Sequence, residues 1–185
     1  RDPAKFIPQL ARRCIEEFTN EGEIVCDPFM GCGTTLVEAL ISGRKAIGVD
    51  INPVASLITK VKSNPLEPTK LNSEAEKLLA DVQNHLQLRK NKQKVLTSKK
   101  DKLSYENERI DFWFPQKDIK EELEIILGKI QQIRNPTTRN FFLCAFSNIL
   151  KNSSIWLMKS IKPTRDKNKI PTPPYKTFSR QVRMM

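Results

Sequence analysis

Histidine is nearly absent: His85 is the single one in 185 residues. That excludes His-rich metal sites, and any Ser/His or Cys/His nucleophilic machinery would have to run through this one residue. His85 lies in the stretch NHLQLRK of a predicted helix, where it reads as a surface side chain. Cysteine is sparse too, at Cys14, Cys26, Cys32 and Cys144, with no CxxC pair for zinc and no regular disulfide framework, so reduced thiols are expected. No apolar run approaches the roughly 18 residues that a membrane-spanning helix needs. The N-terminus, RDPAKFIPQL, has no initiator Met, no apolar core of a signal peptide and no transit-peptide character, so a trimmed cytoplasmic chain is expected.

Acidic residues are the scarcer charge, 21 against 32 Lys and Arg, for a formal net charge of +11. The excess is local. Residues 86–102 carry seven basic side chains against Asp101, and residues 151–185 carry nine against Asp166. The remainder is mildly acidic, a distribution that suggests a polyanionic partner met by two basic segments, 89–102 and 151–185.

The hydrophobic pattern predicts a helix from Pro8 to Phe18, with Leu10, Cys14, Ile15 and Phe18 at helical spacing. Glu23–Asp27 then reads as a strand, residues 28–33 as a glycine-containing turn, and Thr34–Ser42 as a helix with Thr34 as its cap. Lys45–Asp50 repeats the pattern of an apolar run ending in an acid. Strand, helix and strand in under thirty residues form a βαβ unit, which imposes a parallel sheet. Beyond Asn52-Pro53 the signal is helical: Val54–Val61, then Asn72–Lys92 with Ala75, Leu78, Leu79, Val82 and Leu86 on one face, then Lys117–Ile133 and Thr137–Leu150. Asp111–Pro115 reads as an aromatic break whose Phe112, Trp113 and Phe114 belong to a core. Residues from Lys162 onward read as a basic, Pro-rich arm. The expected organisation is a βαβ portion with its leading helix at 1–62, a helical insertion at 63–161 and the arm at 162–185.

The stretch that carries chemistry is Asp27-Pro-Phe-Met-Gly-Cys-Gly-Thr-Thr35, between strand and helix, with Asp50 closing the next strand. A P-loop needs a lysine after its last glycine, and neither Gly31 nor Gly33 leads to one. A dinucleotide fingerprint needs a third glycine where Leu36 stands, and Asp27 would repel a pyrophosphate. The same carboxylate suits a cation. S-adenosylmethionine has no phosphate and carries an ammonium and a sulfonium. Gly31 and Gly33 would let the backbone approach it without a Cβ, and Asp50, seventeen positions after Gly33, is a natural acceptor for ribose hydroxyls.

The segment VCDPFMGCGTTLVEAL followed by GRKAIGVDINPVA closely resembles motif I and the next acidic strand end of the amino-group DNA methyltransferases, which modify adenine N6 or cytosine N4. RDPAKFIPQL resembles the motif X of that family, with Asp2 where His is common and with Pro3, Ala4, Lys5, Phe6 and Pro8 in place. Residues 110–150 resemble, more loosely, the helical region of a subgroup in which motif X comes first. The resemblance implies a three-layer, Rossmann-like α/β fold, incomplete here, with a helical insertion. It implies S-adenosylmethionine as cofactor, held by Phe6, Asp27, Pro28, Phe29, Gly31, Gly33, Thr34, Thr35, Asp50 and Asn52, with no metal. DNA is the implied partner, through the two basic segments, and a restriction endonuclease is a second.

The catalytic motif of the family, [DNS]PP[YFW] after an apolar strand, has one imperfect counterpart, Thr172-Pro173-Pro174-Tyr175, preceded by no strand. The expected location of the true motif is downstream of Met185, which would make this chain the cofactor-binding portion of a DNA methyltransferase. No Pro-Cys pair supports cytosine C5 chemistry. The alternatives are an RNA methyltransferase acting on a guanine amino group, and a nucleic-acid-binding or interaction module without turnover.

Overall fold

The computed structural model describes residues 6–90, 108–160 and 162–185, with backbone only at Lys90. They fall into two compact units, Arg1–Pro65 and Leu66–Met185.

In the first unit, α1 (Pro8–Phe18) opens with proline at its first helical position, where no N–H is needed. β1 (Ile24–Asp27) and β2 (Lys45–Gly48) pair in parallel, Ile24 opposite Lys45 and Asp27 opposite Gly48, and α2 (Thr34–Ile41) makes the crossover between them. One face of the pair packs on α2, as the closeness of Leu36 to Gly48 shows. The other carries Ile24, Cys26, Lys45 and Ile47, all exposed. α1 and α3 (Pro53–Ser63) flank α2. The expected α/β character is present as this two-stranded parallel sheet with helices over one face.

Two details differ from expectation. Gly33, in the left-handed region at φ 80°, is the N-cap of α2, and Thr34 is its first helical residue rather than its cap. The buried side chains of α1 are Ala11 and Ile15, whereas Leu10, Cys14 and Phe18 are exposed. The face is selected by α2: Arg12 meets the buried carboxylate of Glu38 at 2.9 Å, and small Ala11 belongs to a core that includes Ala39.

The second unit is helical: α4 (Pro68–Lys90), α5 (Glu108–Trp113), α6 (Lys117–Gln131), α7 (Pro136–Ser153) and α8 (Pro174–Met184). Its core joins Leu79 and Val82 of α4, Leu123, Ile126 and Ile130 of α6, Phe142 and Ile149 of α7, and Phe178 of α8. α4 starts four residues earlier than expected because Glu67 caps it, its carboxylate accepting the Lys70 and Thr69 N–H groups, which hold its pKa below the usual carboxylate range. α7 starts where Asn135 Oδ1 accepts the N–H groups of Thr137 (2.9 Å) and Thr138 (3.0 Å). Asn135→Ala should therefore cost the second unit about 1 kcal/mol, read as a lower urea midpoint at unchanged slope.

Two expectations are corrected here. The basic arm is, over residues 174–184, the core helix α8, packed on α7, α6 and α4. Its prolines begin the helix rather than prevent it, and Phe178 and Val182, one turn apart, form the buried stripe of an otherwise polar helix. The aromatic break is instead α5 and its exit. Trp113 stacks on Trp156 at 5.3 Å, Phe112 meets Trp113 edge-on at 5.0 Å and remains exposed, and Phe114 is half-buried.

None of the four cysteines is in a disulfide. Among the described residues no helix is long and apolar enough to cross a membrane.

Candidate functional site in the strand-to-helix loop

The loop between β1 and α2 starts with a local clamp. Asp27 Oδ1 accepts the Phe29 N–H at 3.0 Å, an Asx turn that swings the chain off the strand. Met30 N–H then donates to Val49 O at 3.0 Å, and Gly33 N–H to Met30 O at 2.8 Å. Asp50, two residues past β2, closes the assembly. Its Oδ2 accepts the Gly31 N–H at 2.9 Å and its Oδ1 accepts the Asn52 N–H at 2.7 Å. One carboxylate thus ties the two strand-end loops together, and each of its oxygens keeps a lone pair for a further donor.

The two loop glycines have different reasons to be glycine. Gly31, at φ 51°, has no atom nearer than 4.0 Å to where a Cβ would stand, so only its backbone conformation demands it. Gly33 is buried, and a Cβ there would stand 2.6 Å from Thr59 Oγ1 and 2.7 Å from Thr59 Cγ2. The missing Cβ of Gly33 therefore makes room for α3, not for a ligand.

Asp27 and Asp50 are half-buried, Thr34 and Thr35 half-buried, and Pro28 exposed. Phe29, at the loop tip, is 88% exposed, and Phe6, just before α1, is 52% exposed. Asn52 is the N-cap of α3, its Oδ1 accepting the Val54 N–H at 2.9 Å. Residues 2–5 of the N-terminal motif lie outside the described residues.

Three residues that sequence reasoning missed complete the loop. Thr59 Oγ1 donates to Gly31 O at 3.2 Å, and Lys62 Nζ donates to Cys32 O at 2.8 Å, so one face of α3 holds the loop carbonyls. Their spacing of three on a helix starting at Asn52-Pro53 was the available signal. Gly48 is the third: a Cβ there would collide with Met30 Sδ and Leu36.

Both strands deliver their acids to the carboxyl end of a parallel sheet, the edge at which α/β folds bind ligands. The first turn of α2 has no side-chain cap, which leaves its N–H groups open to an electronegative group.

Thr172–Tyr175 sits in the second unit. Thr172 N–H donates to Asn152 O at 3.1 Å, Pro173 caps α8, Pro174 is buried, and Tyr175 Oη donates to Leu79 O at 3.3 Å. Desolvation there raises the Tyr175 pKa above the ordinary phenol value. Of the basic segment 89–102, Arg89 pairs with Glu121 at 3.0 Å, and residues 91–102 lie outside the described residues.

The model of the N6/N4 DNA methylases matches residues 2–61, which hold the whole loop, Asp50 and Thr59. Over these residues the chain is similar to the DNA methylase family. The likeness continues beyond the methylase segment. The chain is 34% identical over 155 residues to the type II methyltransferase M.MvaI of Kocuria varians, an alignment covering 82% of this chain and 33% of that protein. At 82% coverage the alignment must extend well into the second unit. The chain is 44% identical over 80 residues to the type II methyltransferase M.MjaII of Methanocaldococcus jannaschii, covering 43% of this chain and 14% of that one. It is 51% identical over 50 residues to the DNA adenine methyltransferase YhdJ of Escherichia coli, covering 27% and 17%. The chain thus spans a third or less of the length of these relatives. No solved structure matches it.

Proposed function

We propose that this chain is the cofactor-binding portion of a DNA methyltransferase that moves a methyl group from S-adenosylmethionine to adenine N6 or cytosine N4. The observation that carries the reading is the Asp27–Gly33 loop fastened to Asp50 at the carboxyl end of two parallel strands, inside the segment matched by the methylase family. Its donor set fits that cofactor. The Asp27 carboxylate suits an ammonium or sulfonium, the uncapped first turn of α2 suits a carboxylate, and the remaining lone pairs of Asp50 suit ribose hydroxyls. Phe29, exposed beside them, supplies apolar surface for an adenine or methionyl group. Pro28, Thr34 and Thr35 belong to or flank the same loop, Phe6 is proposed as a further contact on the motif resemblance and its exposure, and Gly33 and Asn52 act through the packing of α3. S-adenosylmethionine supplies an activated methyl group, so the protein needs to hold donor and acceptor in line.

The proposed whole fold is three-layer and Rossmann-like. Parallel sheets are covered on both faces, and the exposed Ile24, Cys26 and Ile47 supply an apolar surface for the second layer. The compartment is the cytoplasm. A restriction endonuclease is the companion consistent with the type II names of the first two relatives.

Calorimetric titration with S-adenosylhomocysteine tests the reading. Saturable binding is expected, weakened about tenfold to a hundredfold in Asp50→Ala, as removal of a charged hydrogen-bonding group implies. A folded chain that binds no S-adenosylhomocysteine overturns it.

A further inference from the structure

We infer that residues 155–160 and 162–169 form a rigid basic hairpin that grips the phosphate backbone of duplex DNA. This rests on the DNA methyltransferase reading for the identity of the polyanion, and on the geometry for the rest. The hairpin is closed by Leu157 N–H to Thr164 O and Asp166 N–H to Ile155 O, both 2.8 Å, with Trp156 bridged to Arg165. Two lysines are engaged in building it. Lys169 Nζ donates to Lys151 O (2.7 Å) and Trp156 O (2.8 Å), and Lys151 Nζ donates to Ser160 O (3.1 Å) while lying 5.2 Å from the Trp156 ring centre. The stack of Trp156 on Trp113 fixes the base of the hairpin to α5.

What this frame presents is charge of one sign. Lys159, Lys162, Arg165 and Lys167 are exposed, and none makes an ion pair within the described residues. Arg165 is held with its guanidinium carbon 4.1 Å from the Phe112 ring centre, a cation–π contact that anchors this side chain on α5. The sole acid, Asp166, accepts the Asn168 N–H at 3.0 Å and so is engaged within the turn. The backbone that carries these four cations is already ordered by the hairpin bonds, so binding costs chiefly the rotamer freedom of the side chains, which distinguishes them from lysines scattered on a flexible chain. Phosphate contacts of this kind position a protein without reading sequence.

The test measures binding of labelled mixed-sequence duplex by fluorescence anisotropy across a salt series, with S-adenosylhomocysteine titrated in parallel. Removing one lysine that neutralises a phosphate should lower affinity about eightfold near ~0.1 M salt and reduce the salt slope by about 0.9. Lys159→Gln, Lys162→Gln and Lys167→Gln combined should therefore weaken binding by up to about 500-fold and the slope by about 2.7. The weakening should be the same for unrelated duplex sequences. A control triple on α8, Lys176→Gln, Arg180→Gln and Arg183→Gln, removes the same charge and should have a much smaller effect. Equal weakening in the two triples, an unchanged hairpin triple, or tighter binding of single-stranded RNA than of duplex DNA overturns the hairpin assignment. Any of these with S-adenosylhomocysteine still bound leaves the methyltransferase reading standing. Absence of both binding activities in the folded wild type overturns both.

Discussion

Phe178→Ala should destabilise the second unit by about 3–5 kcal/mol, the range for truncating a fully buried aromatic side chain. Phe178 has no exposed surface and sits on α8 where that helix meets α7 and α6, so the surrounding helices would have to collapse onto a cavity. The measurement is convenient because both tryptophans of the chain, Trp113 and Trp156, lie in this unit, and their emission in a urea titration reports its unfolding. Gln181→Ala on the same helix is the comparison. Its side chain is bonded at the surface to Asn148 Nδ2 at 2.7 Å, and its removal should cost well under half as much. If the two variants unfold at the same urea concentration, α8 is not a core element and residues 174–184 are a peripheral arm after all.

The second large effect is expected at Gly33. Gly33→Ala should cost the first unit about 2–5 kcal/mol, combining about 1–2 kcal/mol for a left-handed non-glycine residue with about 1–3 kcal/mol for overpacking against Thr59. No tryptophan lies in that unit, so the readout is amide hydrogen exchange of β1 and β2. The mechanism makes a sharper demand than the magnitude. Thr59→Ala removes the two atoms nearest the introduced methyl group, so in the Gly33→Ala background it should restore part of the protection, although alone it removes a hydrogen bond to Gly31 O. The coupling should exceed about 1 kcal/mol. Strictly additive effects would mean that Gly33 serves the backbone conformation alone.

How much of the fold is legible in the sequence depends on whether the deciding partner is near along the chain. The bounds of α1 follow from Pro8 and the helical pattern, and the strand, loop and crossover helix follow from two apolar runs that each end in an acid. Which face of α1 is buried does not follow, because Glu38 and Ala39, from twenty-odd residues away, select it over the more hydrophobic stripe. The same holds for the site. Asp27, Gly31 and Asp50 announce themselves by residue type and position, but the contribution of Asp50 to shaping the loop emerges only in three dimensions. Thr59 and Lys62 carry no chemical signature and matter through the turn of α3 that faces the loop. α8 escapes sequence reasoning because two apolar residues one turn apart make a weak stripe and the preceding prolines suggest an irregular chain.

The strand pairing of the first unit joins residues only 21 positions apart, Ile24 with Lys45, and every tie that shapes its loop also lies within the first 65 residues. Local closure of this kind has a small entropic barrier, so this unit is expected to reach its native topology early and quickly. On the ribosome its last tether, Lys62, is synthesised before any of the second unit, so the loop can be assembled while the helices are still being made. The order of synthesis is thus also an order of folding, with the loop and its acids set before the basic hairpin exists.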